Sequence, residues 1–302
     1  MTGSADSIFN EGKRHEIPGG ANSFPVLQWS FSGRSSSFNS ELSMNALLLH
    51  PFVEDLVACL RFYTLFEVPW LGDKAPEFRG ALRAVPVAGA IIGACGGAAL
   101  FVTWALGIPP LPASACAIAT LVAATGALHE DGLADVADGF GGGGTRQRKL
   151  DIMRDSQLGS FGAVALALAL MLRVFALAAL TERGLPLAVL SLICAGAVSR
   201  TAGLAPLLML ASARSDGAGA AMSRPSRGAL QTALLLALAL SMPLTLAGMP
   251  LSRIALGDIL ALFAAILVAK LAERQIGGFT GDVLGTAQQS AEIVVLLALC
   301  RT

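Results

Sequence analysis

Charge is what this sequence has least of. Lysine and arginine number 21, aspartate and glutamate 21, and together they make 14% of 302 residues; a soluble domain carries roughly 25%. So large a deficit excludes an ordinary soluble globule and points to a chain that lives in lipid. The two signs cancel to a net charge of zero, which excludes a general nucleic-acid binder, since such proteins present a basic face. Three histidines and one tyrosine leave little stock for a metal centre built on several imidazoles. The cysteines Cys59, Cys95, Cys116, Cys194 and Cys300 stand apart without a CxxC pair and read as small thiols buried in apolar runs.

What is present is apolar surface: 54% of the residues are hydrophobic. A bilayer core of about 30 Å takes about 20 apolar residues per helix. Runs near that length occupy 84–107, 111–129, 161–181, 185–212, 228–249 and 254–272, with a shorter one at 284–300. Pro109, Pro110 and Pro112 mark a tight first connection, and Gly89, Gly93, Gly96 and Gly97 suit close helix packing in lipid. Ahead of these runs, 46–66 is apolar but carries Glu54, Asp55 and Arg61. Its stripe of Phe52, Leu56, Cys59, Leu60 and Tyr63 predicts an interfacial or bundle-packed helix rather than a span. Residues 1–43 are rich in Ser, Asn and Gly and hold no apolar core of signal-peptide length. They predict a disordered extension, or one translated from an upstream start codon. The expected architecture is all-α: a polytopic integral membrane bundle of about seven transmembrane helices plus the interfacial helix, forming one domain over 44–302. Seven spans divide the connectors into two sets. Lys74, Arg79, Arg83, Arg146, Arg148, Lys149, Arg154, Arg214, Arg224, Arg227 and Arg274 fall on one side, and only Arg183, Arg253 and Arg301 on the other. The positive-inside rule makes the richer side cytoplasmic.

The densest charge lies on that side, in Leu128-His129-Glu130-Asp131-Gly132-Leu133-Ala134-Asp135-Val136-Ala137-Asp138-Gly139. Asp131, Asp135 and Asp138 are spaced i, i+4, i+7, so a helix sets all three carboxylates on one face. Neighbouring carboxylates repel unless a proton or cation compensates. Hard oxygen ligands beside a basic, glycine-rich segment suggest Mg²⁺ and a phosphorylated substrate. Glu130 sits about 100° round the helix from Asp131, and His129 fits capping or packing better than catalysis. Gly141 and Gly142, within Gly141–Gly144, offer backbone N–H groups to phosphate, although no Gly-Lys-Ser/Thr follows to make a P-loop. Arg146, Arg148 and Arg154 are candidate phosphate contacts, Arg154 having Asp151 and Asp155 as alternative partners. Arg173 and Arg200 stand inside apolar runs, where an arginine needs a partner or a polar cavity. Arg200 reads as a substrate contact and Arg173 as structural, paired with Glu292. Gly277-Gly278-Phe279-Thr280-Gly281-Asp282 brings a further carboxylate to the same face, in a flexible loop before the last span, as a fourth metal ligand.

The run His129–Gly139, followed by Ile152-Met153-Arg154-Asp155-Ser156-Gln157-Leu158-Gly159-Ser160-Phe161-Gly162, closely resembles the cobalamin synthase (adenosylcobinamide-GDP ribazoletransferase) family. Phe279-Thr280-Gly281-Asp282-Val283-Leu284-Gly285 matches that family's carboxy-terminal motif, and Ser199-Arg200 and Asp216-Gly217 are similar to its middle motifs. Leu60-Arg61-Phe62-Tyr63-Thr64 with Val68-Pro69 is a degraded form of its amino-terminal Phe-x-Thr-x-x-Pro-x-Pro region; the departure is at Val68-Pro69-Trp70. The resemblance covers roughly residues 50–302. It implies a Mg²⁺-dependent enzyme of the bacterial inner membrane that joins adenosylcobinamide-GDP to α-ribazole, or its 5′-phosphate, releasing GMP. On that reading Asp131, Asp135, Asp138 and Asp282 hold the metal. Gly141, Gly142, Arg146, Arg148, Ser156, Arg200, Asp216 and Gly217 hold substrate, with Arg154 at the reacting phosphates. Asp155 and Glu130 are alternative acceptors for the hydroxyl proton. The partners are the two substrates and the lipid bilayer, with a homo-oligomer left open.

Other membrane enzymes bind diphosphates through aspartate clusters. UbiA-type prenyltransferases and CDP-alcohol phosphotransferases do so, but the Ala-Arg pair of the latter is absent here. A transporter would spread its polar residues along both halves of its spans, whereas here they gather on one face. An intramembrane aspartyl protease lacks its second aspartate.

Overall fold

Backbone buried in lipid must satisfy its own hydrogen bonds, and an uncharged run of this length does so only as a helix. A computed structural model of the chain describes residues 51–66, 78–215 and 222–301. The extension at 1–43, the Val68-Pro69-Trp70 segment and the candidates Asp216 and Gly217 lie outside the described residues. The helices are α1 Pro51–Tyr63, α2 Phe78–Ala81 (leading through a 3₁₀ turn, Leu82–Ala84, into the next), α3 Val85–Ala105, α4 Pro110–Thr125, α5 Leu128–Gly142, α6 Arg146–Ile152, α7 Ser160–Arg183, α8 Leu185–Ala202, α9 Ala205–Met209, α10 Arg227–Ser241, α11 Leu251–Ile276 and α12 Gly281–Cys300. Among the described residues six stretches are long and apolar enough to cross a bilayer, and α4 with α5, bent by 89°, makes a seventh if the pair is one span. The chain is a multi-pass, all-helical membrane protein, as the sequence predicts.

The stretch Leu185–Met209 is the axis of the bundle: 83% of its apolar window is buried, against 28% for α11. α3 lies against it most closely. A Cβ added at Gly89 or Gly93 would run into the backbone of Gly196 or Leu192, so these glycines let two backbones touch, the gain that lipid offers in place of a hydrophobic drive. On the outside, α7 exposes Phe161, Val164, Leu168, Met171 and Phe175, and α11 exposes Ile259, Phe263 and Leu267. Their spacing of three and four makes one lipid-facing stripe per helix.

The connectors gather into two groups. Arg146 donates to the carbonyls of Ile276 and Ala213, Lys149 to the Gln275 side chain, and Arg214 to the carbonyl of Leu150. At the other end Arg183 donates to the carbonyls of Leu299 and Arg301, and Arg253 also to Arg301. These are the two sets into which the connector charges divide the sequence. α1 packs on the first end, where Arg83 pairs with Asp55 and lies 5.8 Å from the Phe52 ring.

Between α4 and α5 the chain turns a right angle in two residues. Gly126 and Ala127 both take the left-handed conformation, with φ 60° and 58°. Glycine does this freely, but for alanine the left-handed region costs roughly 1–2 kcal/mol. The run expected as one span over 111–129 therefore ends at Thr125, and the acidic segment leaves it as a separate helix.

Candidate active site

Two glycines decide where the acidic helix meets the rest of the bundle. A Cβ on Gly132 would overlap the backbone of Asp282, and one on Gly285 would press on the backbone of His129. Thr286 Oγ1 donates to the Gly132 carbonyl at 3.0 Å across the same contact. α5 and α12 thus cross at backbone distance, which sets Asp131 and Asp135 beside Asp282. Asp282 is not in a loop, as the sequence suggests, but in the first turn of α12, two residues after the Thr280 cap whose Oγ1 accepts from Val283 N at 3.3 Å. A carboxylate is favoured there by the helix dipole. The preceding residues are ordered by a short parallel bridge: Ala213 N donates to Phe279 O at 2.8 Å and Phe279 N to Ala211 O at 2.9 Å. That bridge delivers Arg214. Its Nη1 stands 3.5 Å from Asp282 Oδ2, while its Nη2 donates to Leu150 O at 2.9 Å.

Asp131 is exposed and Asp135 half-buried. Among the described residues neither side chain accepts a hydrogen bond or pairs with a cation, and Asp135 feels the charges of Asp131, Asp138 and Asp282 together with that of Arg214. Among the described residues no three acidic, histidine or cysteine groups are already drawn close enough to cage a metal. Mg²⁺ does not need such a cage: it keeps several waters and is bound through one or two carboxylates plus substrate phosphates. An oxygen-only set of carboxylates at a helix crossing fits that chemistry, and the residues that fit are Asp131 and Asp135, unpaired among the described residues, with Asp282, which Arg214 and Thr280 hold in place.

Asp138 has a different task. Its Oδ2 accepts from Gly159 N and its Oδ1 from Gly162 N, both at 2.8 Å, so it caps the amino terminus of α7. Seven residues also separate it from Asp131 by about 10.5 Å along the helix axis, too far for one small cation to bind both directly. Glu130 is likewise occupied. It is buried against Arg173 at 2.7 Å, and Gln289 Nε2 donates to the same oxygen at 3.0 Å. Arg173 binds Glu292 at 2.7 Å with its other nitrogen, the pairing anticipated from the sequence. Gln288 ties Glu292 to Ser199, at 2.6 and 3.0 Å. Gly141 and Gly142 form no open cradle. They are the last turn of α5, and a Cβ on Gly141 would meet the Phe161 ring; these glycines serve packing.

The cationic groups divide. Arg146, Arg154 and Arg214, with Asp151 and Ser215, line a cavity of about 190 Å³. Arg148 is exposed on α6 and lies outside that lining, as do Asp155 and Ser156, exposed in the turn between α6 and α7. Asp155 Oδ1 accepts from Gln157 N at 3.1 Å. Arg200 lines a second cavity, of about 180 Å³, together with Asp131 and Asp282.

Comparison with known proteins settles the family. The model of the cobalamin-5-phosphate synthase family matches residues 55–300. The chain belongs to that family. It is 47% identical to the adenosylcobinamide-GDP ribazoletransferase of Azorhizobium caulinodans over 253 residues, covering 81% of this chain and 94% of that protein. It is 45% identical to the enzyme of the same name from Xanthobacter autotrophicus, covering 83% and 97%, and 43% identical to that of Mesorhizobium japonicum, covering 81% and 92%. No solved structure matches. Membership makes the chain an enzyme, a transferase of cobalamin biosynthesis.

Three groups beside the candidate site were given no part in it, or, for His129, a packing role, by sequence reasoning. Arg214 was visible only as one basic residue in a loop; the bridge to Phe279 that aims it joins segments more than 60 residues apart, a pairing no local pattern announces. Tyr63 and His129 stack at 5.6 Å although they lie on different helices. Gln288 and Gln289 did carry a signal. With Glu292 they are three polar residues inside an apolar span, and such residues face the bundle interior.

Proposed function

We propose that this enzyme transfers the adenosylcobinamide phosphate group of adenosylcobinamide-GDP to α-ribazole, or its 5′-phosphate, in a Mg²⁺-dependent reaction at the α5–α12 crossing. The observation that carries the proposal is the meeting of the unpaired carboxylates Asp131 and Asp135 with the Asp282–Arg214 pair, beside a cavity lined by arginines. The relatives' name, adenosylcobinamide-GDP ribazoletransferase, supports the choice of substrates. An acceptor ribose hydroxyl forms a bond to the phosphorus nearer the corrinoid, the bond from that phosphorus to the bridging oxygen breaks, and GMP departs with the bridging oxygen. The hydroxyl proton passes to a carboxylate. Neither sequence candidate stands free at the crossing, since Glu130 is taken up by Arg173 and Asp155 is exposed outside both cavities. Arg214, Arg146 and Arg154 hold the diphosphate by charge-assisted hydrogen bonds. Bound by Asp131, Asp135 and Asp282, Mg²⁺ would neutralise charge that develops on the leaving phosphate.

The basic connectors gather at the same end of the bundle as this crossing, which supports a site facing the cytoplasm from the bacterial inner membrane. The test is purified protein in lipid nanodiscs given adenosylcobinamide-GDP, α-ribazole and Mg²⁺. GMP and a cobamide in equal amounts are expected, abolished by a chelator and restored by added Mg²⁺. Absence of both products from protein that is folded and loaded with both substrates overturns the proposal.

A further inference from the structure

The second cavity is not explained by charge. Besides Asp131 and Asp282 at its edge it is lined by Leu204, Met222 and Leu284, with Tyr63, His129 and Arg200 forming an aromatic and cationic wall. The wall is built rather than incidental. Tyr63 and His129 are stacked with planes 22° apart, and the Arg200 guanidinium carbon stands 5.9 Å from the Tyr63 ring centre. Phe62 meets Tyr63 edge-on at 5.0 Å. Tyr63, His129 and Arg200 are all buried, and Arg200 Nε has no hydrogen-bond partner.

We propose that this cavity is the subsite for the flat heteroaromatic base of the acceptor nucleoside, seated on the Tyr63–His129 wall with its ribose directed to Asp131 and Asp282; this rests on the ribazoletransferase reading above. Two arguments select that occupant. Guanine, the base on the donor, carries donors and acceptors on most of its edge, and it suits the apolar part of the lining, Phe62, Leu128, Leu204, Met222 and Leu284, less well than a base with methyl groups. The dimethylbenzimidazole of α-ribazole presents methyl groups and one free ring nitrogen, so it asks for apolar contact and a single donor, which Arg200 Nε can supply. The donor's phosphates have the arginine-lined cavity instead. The Arg214–Asp282 pair joins the two cavities, Arg214 lining one and Asp282 the other, so the acceptor hydroxyl and the diphosphate meet where the carboxylates are.

The experiment compares wild type, Tyr63→Phe, Tyr63→Ala and Leu284→Trp in nanodiscs. Kinetics are measured with each substrate varied in turn, and equilibrium dialysis measures binding of α-ribazole alone. Loss of the ring in Tyr63→Ala, and filling of the cavity in Leu284→Trp, should raise KM for α-ribazole by about tenfold or more with KM for adenosylcobinamide-GDP unchanged, the signature of lost binding to one substrate. Tyr63→Phe keeps the ring and should rescue most of the α-ribazole binding that Tyr63→Ala loses. Should Tyr63→Ala be too unstable to assay, dialysis with Leu284→Trp decides. Undiminished α-ribazole binding in Leu284→Trp, or a rise in the donor's KM in place of the acceptor's, overturns the subsite. Failure of the wild type to release GMP would instead sink the transferase reading, so the two failures are distinguishable.

Discussion

Arg173 is the residue whose loss should be felt most widely, although it touches neither cavity. Only 2% exposed, it holds Glu130 and Glu292 at 2.7 Å each, and so fastens α7 to both helices of the carboxylate crossing. Replacing it with methionine keeps much of the volume but takes the cation from buried Glu130 and leaves buried Glu292 only Arg200, 4.0 Å away. Breaking a buried pair by removing one partner costs about 3–5 kcal/mol. At about 2–4 °C per kcal/mol for a chain of this size, Tm should fall by at least about 6 °C. Ordinary polar contacts between membrane helices are worth only about 0.6 kcal/mol on average, so the two estimates are separable. Differential scanning fluorimetry in detergent measures the shift. The control is the double variant Arg173→Met, Glu130→Gln, which leaves Glu292 its contact with Arg200 and should recover most of the loss, since a buried pair replaced by neutral groups is often energetically neutral. A single variant melting within about 2 °C of wild type would show the network to be no more than ordinary polar contact. A double variant no better than the single would show that the uncompensated charge is not the cause.

Asp131→Asn and Asp135→Asn should each lower GMP release by about 100-fold or more with little change in Tm, whereas Asp138→Ala should lower Tm through its lost cap, worth about 0.5–2 kcal/mol, and still release GMP; the reverse pattern would contradict the division between metal ligands and cap. Arg214→Gln should lower activity by about tenfold or more, as expected for loss of a charge-assisted contact of about 1.5–3 kcal/mol, and Arg214→Lys should recover only part because it cannot hold Asp282 and Leu150 together; equal activity of the lysine variant and wild type would rule out the forked contact. Burial, with Asp55 beside it, pushes the Cys59 thiol up to about 12. The thiol form is therefore favoured in the folded protein: this contribution to stability is complete below the ordinary thiol pKa and is lost as pH rises towards about 12. At pH 8 Cys59 should resist a maleimide in folded protein and react after denaturation, as mass spectrometry would show; rapid labelling of the folded protein would contradict the burial.

What could be read from the sequence was whatever repeats with a local period. Apolar runs of bilayer length gave six of the spans within a few residues, because in lipid a run of that kind has no other backbone solution. The glycines of α3 were legible for the same reason, being spaced along one helix face. The run 111–129 was misjudged at its end because apolar content continues smoothly through Thr125 while the backbone turns at Gly126 and Ala127. The alanine there is no turn signal at all. Its left-handed conformation is imposed by the tertiary contacts on either side, among them Leu65 N donating to Ala124 O at 2.9 Å.

The acidic segment shows why type and spacing locate a site more surely than they assign its members. Helical spacing put Asp131, Asp135 and Asp138 on one face, and α5 is indeed a helix over all three. A face, however, extends along an axis, and different neighbours cover different turns of it. At the level of Gly132 the neighbour is the amino-terminal turn of α12, which brings a fourth carboxylate and leaves Asp131 and Asp135 unpaired. Two turns later the neighbour is the amino terminus of α7, whose free N–H groups at Gly159 and Gly162 take both oxygens of Asp138. The same holds for the glycines. Gly132 and the cluster from Gly139 onwards have one composition, but a side chain at Gly132 would drive Asp282 away from Asp131, whereas one at Gly141 would only displace Phe161 from the helix that it packs on. On the proposed reading, chemistry at this crossing depends on Gly132 as directly as on the aspartates, since it sets the distance between the carboxylates of α5 and that of α12.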